Sequence, residues 1–212
     1  MGAIKLPHAS GNSVSIASPQ SNPAADRTLY LPSNADGTIL TTTTPGAILQ
    51  VKQNSDTTTT GTLSMATADQ FYDVPNLNIA ITPASSSNKI LISYQSFGEG
   101  DATDANYRFR VKRAISGGAT TYIQGVAATG RTQVMANLPA SEAGGDVDST
   151  PIQVAVSNYL DSPSTTSETT YTVQIGCNAA SKEWNYNRSN TDSASSEYER
   201  GMSWITVMEV VA

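Results

Sequence analysis

The residues of this chain that could do chemistry are few, and they are poorly placed for catalysis. Its only histidine, His8, lies between Pro7 and Ala9 in a polar N-terminal stretch with nothing to hold it beside a partner. A Ser-His-Asp or Cys-His arrangement needs a positioned base, so catalysis through His8 is not expected. The single cysteine, Cys177, ends an alternating run at 172–177 and reads as a small core residue. One cysteine excludes an intramolecular disulfide and a multi-cysteine zinc site within the chain. The sequence contains no GxxxxGK[ST], GxGxxG or HExxH pattern. The chain is expected to be no enzyme and to need no cofactor.

Three other groupings carry chemical potential. Carboxylates gather in two loops, Glu99, Asp101 and Asp104 in 98–104 and Glu142, Asp146 and Asp148 in 141–149. Oxygen-rich loops at a sandwich edge can hold Ca²⁺, but the spacing matches no dedicated calcium loop, and no metal ligand is assigned. The segment Trp184-Asn185-Tyr186-Asn187-Arg188, with Tyr198 and Arg200 after it, mixes aromatic, amide and guanidinium groups. Rings stack on the apolar faces of sugars while amides and Arg fix hydroxyls. Trp184, Asn185, Tyr186 and Arg188 are therefore candidate ligand-binding residues. The competing reading puts Trp184 and Tyr186 on the inner face of a strand, with Asn185 and Asn187 in water. Finally, Tyr107, Phe109 and Val111 alternate with Arg108, Arg110 and Lys112, and Arg113 follows. That row is either a solvated face that discourages edge pairing or one that meets acidic groups on a neighbouring subunit or ligand.

The elements that must position these groups are strands. Charged residues make up 14% of the 212 and hydrophobic ones 38%, both low for a globular chain, with Ser, Thr, Asn and Gly making up the difference. The formal net charge of −6 argues against a nucleic-acid or anionic-membrane binder, which needs cationic surface. No secretory signal opens the chain, and no apolar run approaches the roughly 18 residues of a membrane span. The protein is expected to be made in a cytosol and to stay soluble, without membrane insertion; if it works outside a cell, something other than secretion, such as lysis, takes it there.

Residues 1–45 hold Pro7, Pro19, Pro23 and Pro32 and too little apolar surface to fold alone. They read as an extended attachment or stem segment with short alternating pieces at 13–17 and 27–32. Residues 46–212 read as the head domain. Strand signals fall at 47–52, 70–74, 77–82, 89–97, 106–115, 120–126, 152–159, 169–177, 183–187 and 202–211. Residues 132–137 fit a strand or a loop, and 63–71 at most one or two helical turns. The fold expected is all-β: two stacked antiparallel sheets, most simply a jelly roll. In the last strand Trp204, Met208 and Val210 point one way, and Ile205, Val207 and Val211 the other. Both faces need cover, which suggests an oligomer with Trp204, Ile205, Val207, Met208 and Val211 at its interface. The competing reading covers both faces from the same chain.

The phrases SGNSVSIASPQSNPAADRTLYLP, PGAILQVKQ, SSSNKILISY, YLDSPSTTSETTYTVQIG and NYNRSNTDS resemble the C-terminal modules of bacteriophage fibre proteins, most strongly those of marine and cyanobacterial phages. The resemblance spans nearly the whole chain and rests on family phrases rather than catalytic signatures. It implies a homotrimer in the virion: three leaders wound into a short β-stem, then three jelly-roll heads similar to the C1q and tumour-necrosis-factor arrangement, with the last strand near the axis. Such fibres usually carry long N-terminal shafts. Here the chain begins at the leader, whose 45 residues at roughly 3.3 Å each reach about 150 Å. The expectation is a small fibre anchored to other virion proteins near Ile4, Leu6, Val14 and Ile16, its heads touching host-surface glycans. The alternatives are a purely structural capsid decoration, cement or head-fibre protein, and a free trimeric lectin or glycan-degrading enzyme.

Overall fold

A computed structural model of the chain describes residues 3–7, 10–11, 13–17, 44–138, 150–196 and 198–212. It divides into two units, Met1–Ile39 and Leu40–Ala212. In the first, β1 (Ala3–Pro7) and β2 (Ser13–Ala17) pair antiparallel, with Ile4 opposite Ile16 and Leu6 opposite Val14. Gly11 turns the chain between them at φ 105°, a conformation open to glycine. The piece 27–32 and the acidic loop 141–149 lie outside the described residues.

The second unit is all strand and turn among the described residues. Its strands are β3 (Ile48–Asp56), β4 (Thr62–Met65), β5 (Phe71–Ile81), β6 (Lys89–Gly100), β7 (Tyr107–Ile115), β8 (Thr120–Ile123), β9 (Ala136–Leu138), β10 (Ile152–Asp161), β11 (Thr169–Cys177), β12 (Lys182–Tyr186) and β13 (Ser203–Val210). One sheet is ordered β3-β13-β6-β12-β4, with β10 on the other edge of β6; the second is β5-β11-β7-β8, with β9 also on β7. All pairings are antiparallel. Setting aside the short β4, β9 and β12, the two orders are β3-β13-β6-β10 and β5-β11-β7-β8, the wrapping of a jelly roll.

Period-two alternation places the core. Ile90, Ile92 and Tyr94 of β6, Tyr107, Phe109 and Val111 of β7, Tyr171, Val173 and Ile175 of β11, and Ile205 and Val207 of β13 are all fully buried in one cluster. Cys177 is buried with them, and that burial pushes its thiol pKa up. Two details depart from the sequence reading. Residues 62–65 form a strand where turn and helical character are expected. The pieces 70–74 and 77–82 are one strand, β5, which runs through Pro75. The register of β5 on β11 shifts there, and Asn76 takes φ 59°. β5 is an edge strand, and a bulge tolerates the missing N–H of a proline.

One carboxylate is built into this frame. Glu209 is fully buried and accepts hydrogen bonds from Gln50 Nε2 (2.6 Å), the Ala84 amide (2.7 Å) and Asn88 Nδ2 (2.6 Å). Burial works to raise its pKa, but the bonds from Asn88, Gln50 and the backbone at Ala84 and Ser85 outweigh it and hold the carboxyl below its ordinary value. A depressed folded-state pKa gives stability that is present above the unfolded pKa and lost as pH falls through the folded one. Glu209→Gln is expected to cost about 1–3 kcal/mol at neutral pH. The gap from wild type should narrow in strong acid, where both side chains are neutral. Urea midpoints of the two proteins at both pH values check this; an unchanged gap would show that the charge plays no part.

Candidate functional site

Of the proposed sugar platform, Trp184, Asn185 and Tyr186 are not at the surface. Trp184 of β12 is fully buried, its ring tilted against Tyr107 and edge-on to Phe109, both at 5.6 Å between centroids. Asn185, Tyr186 and Asn187 are buried as well. Asn185 Oδ1 accepts from Thr62 Oγ1 (2.9 Å) and Arg188 Nη2 (2.8 Å), and its Nδ2 donates to Asn190 (2.8 Å). Asn187 donates to the Thr58 carbonyl and accepts from Ser203 Oγ. Arg188 also reaches the carbonyls of Ser189 and Asn190. These residues knit β4, β12 and the following loop together. The reading of Trp184, Asn185 and Tyr186 as a ligand platform is corrected, and Arg188 is half-buried in the same network. The competing reading holds for Trp184 and Tyr186, which face the core, but not for Asn185 and Asn187, which are buried rather than in water. Trp184 projects onto Tyr107 and Phe109 of β7 in the second sheet, while β4 pairs with β12 on the edge opposite β6.

The first acidic loop is likewise structural in its bonding. Glu99 is buried and accepts from the Asn190 amide (2.7 Å). Asp101 accepts from Tyr107 Oη and the Glu183 amide, both at 2.8 Å, and Asp104 pairs with Lys182 at 3.1 Å. The three carboxylates serve separate partners rather than one point.

The cationic row stands as the alternation requires, with Tyr107, Phe109 and Val111 inward. Acidic partners come from the same chain: Arg108 pairs with Asp69, Lys112 with Asp73, and Arg113 with Asp161 at 2.7 Å. The acids come from the turn before β5, from β5 across β11, and from β10 in the other sheet, which only the tertiary fold brings near β7.

Arg110 differs from the other three. Among the described residues it makes no ion pair; Nε donates to Gln174 (2.8 Å) and Nη1 to Gln124 (3.1 Å). Its guanidinium carbon lies 4.0 Å from the ring centroid of Phe71 and 3.8 Å from that of Tyr122. Removal from water lowers its pKa. The Phe71 ring can lie there because its partner on β11 is Gly176, where a Cβ would meet that ring at 3.2 Å and the Gln70 carbonyl at 2.7 Å. Around this arginine opens a cleft of about 470 Å³, bounded by Asp69, Gln70, Phe71, Tyr122, Gln124, Thr132 and Gln133. Sequence reading missed it because residues 71, 110, 122 and 133 meet only through strand register.

The last strand divides cleanly. Ile205 and Val207 turn into the chain's own core, and Val211 is buried at its end with its N–H on the Ala47 carbonyl (2.9 Å). Assigning those three to a subunit interface is therefore corrected: their own sandwich covers them. Trp204 and Met208 point outward, half-buried, into a groove of about 400 Å³ shared with Val51, Gln53, Ser93 and Thr206. Register lines up Val51, Met208, Leu91 and Leu160 across β3, β13, β6 and β10 as one apolar row on that face. Val51 is 56% exposed and Leu160 51%.

Of the anchor residues, Ile4, Leu6, Val14 and Ile16 fall on the β1–β2 hairpin, and the Leu6 side chain is exposed. Among the described residues no helix is long and apolar enough to cross a membrane. Comparison with protein-family models finds no match, and comparison with curated proteins finds none either.

Proposed function

We propose that the chain is a non-enzymatic virion protein, a short homotrimeric phage fibre that docks by its N-terminal segment and displays jelly-roll heads for attachment to host-surface glycans. The observation that carries this reading is the apolar row Val51–Met208–Leu91–Leu160, a stripe across four strands of one sheet with Trp204 beside it. A contiguous apolar stripe on an exposed sheet marks an interaction surface, and self-association with closed symmetry is the usual way to cover one. Fibre-like phrases in the sequence supply the biological setting. Three heads on one axis would bind weak ligands together far better than one.

Light scattering coupled to size-exclusion chromatography should give a species of three times 22.2 kDa. Met208→Asp puts a charge in the stripe at an outward position and is expected to yield a folded monomer with an unchanged far-UV spectrum. A wild-type monomer would sink the trimer. The buried position of Trp184 and its neighbours favours the purely structural decoration role as the second reading, because three of the four residues proposed to touch glycans, Trp184, Asn185 and Tyr186, do not reach the surface. Purified trimer that blocks phage adsorption supports attachment; a phage lacking the protein that adsorbs normally but loses stability supports decoration.

A further inference from the structure

We infer that the cleft around Arg110 is a binding site for an acidic sugar, whose carboxylate lies against the guanidinium edge. The inference rests on the attachment reading for its biological role, though not for its chemistry. Both faces of the Arg110 guanidinium are covered, by Phe71 at 4.0 Å and Tyr122 at 3.8 Å. Gln174 and Gln124 occupy Nε and Nη1. Nη2 has no acceptor among the described residues, so the one unused edge of a planar, clamped cation remains. A guanidinium fixed in this way is preorganised for a planar oxyanion, because its fork loses little freedom on binding.

Charge separates this arginine from its neighbours. Arg108 and Lys112 are each neutralised by a carboxylate of the same chain, and Arg110 is not. Among the described residues the row from Arg108 to Lys112 thus holds one cation without an ion-pair partner, on a protein of net charge −6. Stripped of water on both faces, that charge interacts strongly with an anion. Asp69 borders the same cleft, and its negative charge penalises a dianionic phosphate more than a singly charged carboxylate.

The remaining walls select a hydroxyl-rich ligand. Gln124 donates to Gln133 Oε1 at 2.6 Å, which leaves the Gln133 amide nitrogen to donate elsewhere. Asp69, Gln70 and Thr132 supply further acceptors and donors along the rim. Each ring already has the guanidinium against it, and most other lining residues, Asp69, Gln70, Gln124, Thr132 and Gln133, are polar. A volume of about 470 Å³ lies within the usual range for small-ligand clefts.

The test uses the full chain, labelled with ¹⁵N and titrated with digalacturonate, with its neutral methyl ester and with acetate. Digalacturonate is expected to give saturable shifts of the Arg110 Nε–H and of amides at 70–71, 122–124 and 132–133. The ester and acetate should bind at least tenfold more weakly. Arg110→Lys keeps the charge but loses the fork and should weaken binding at least tenfold. Gln133→Ala, away from the core, should weaken it several-fold and serves if the lysine variant does not fold. Absence of saturable shifts, equal effects of acetate, or full binding by both variants would overturn the inference. Uronate binding without competition for phage adsorption keeps the site and removes the attachment reading. Competition by a protein that binds no uronate keeps attachment and removes the site.

Discussion

Trp184→Ala should lower the stability of the protein by about 3–5 kcal/mol, a large share of the roughly 5–15 kcal/mol that holds a domain together. The ring is fully buried between Tyr107 and Phe109. β6 passes so close that a Cβ on Gly98 would stand 2.8 Å from the indole and 2.4 Å from the Asn185 carbonyl. With strands held on both edges of β12, the site cannot collapse to fill the space, so the cavity term adds to the transfer term. Nε1 has no acceptor among the described residues, so the loss is one of packing rather than hydrogen bonding, and Trp184→Phe should recover much of it. Urea unfolding at constant m-value measures the change. A shift below about 0.5 kcal/mol, the range of ordinary surface substitutions, would mean that Trp184 is at the surface after all.

Removing Arg113 should be nearly as damaging. Its Nη1 lies 2.7 and 2.9 Å from the two oxygens of Asp161, whose side chain is only 7% exposed, and Tyr171 Oη donates to the same carboxylate at 2.8 Å. The pair ties the end of β10 in one sheet to β7 and β11 in the other. Arg113→Ala strands a buried anion, and losses of about 3–5 kcal/mol are typical when one partner of a buried pair is removed. Arg113 itself is 18% exposed, and water reaching Asp161 through the gap pulls the expected value to the lower end. Arg113→Met with Asp161→Asn should regain more than half of the loss, because the asparagine oxygen still accepts from Tyr171 and no charge is left unpaired. A double-mutant cycle by urea unfolding reads the coupling directly; additive single effects would show that the two side chains do not depend on each other.

The single substitution of Arg113 also bears on how far sequence can be read. The row Arg108 to Arg113 is plainly cationic on one face, and its need for acidic partners follows from charge alone. That Asp69, Asp73 and Asp161 answer it within one chain does not follow. Those residues lie 39, 39 and 48 positions away from their partners, and nothing local indicates which strands flank β7. The same gap left Trp184 with two readings, a ligand platform and an inward-facing strand residue. Its alternation with Tyr186 is compatible with an open edge strand until β4, a four-residue strand in a threonine-rich stretch, takes that edge.

What the sequence determined by itself is the all-β class and the inward set of each long strand: Tyr107, Phe109 and Val111, or Ile205 and Val207. Side chains alternate across a strand through backbone geometry, so burial on one face is written locally. Only the tertiary structure decided which residues lie beside one another across strands. It placed Phe71 and Tyr122 on either face of Arg110, set the acids against the cationic row, and joined Val51, Met208, Leu91 and Leu160 into one stripe. Those neighbours depend on sheet order and register, and these come from the cooperative burial of two whole faces rather than from any one segment.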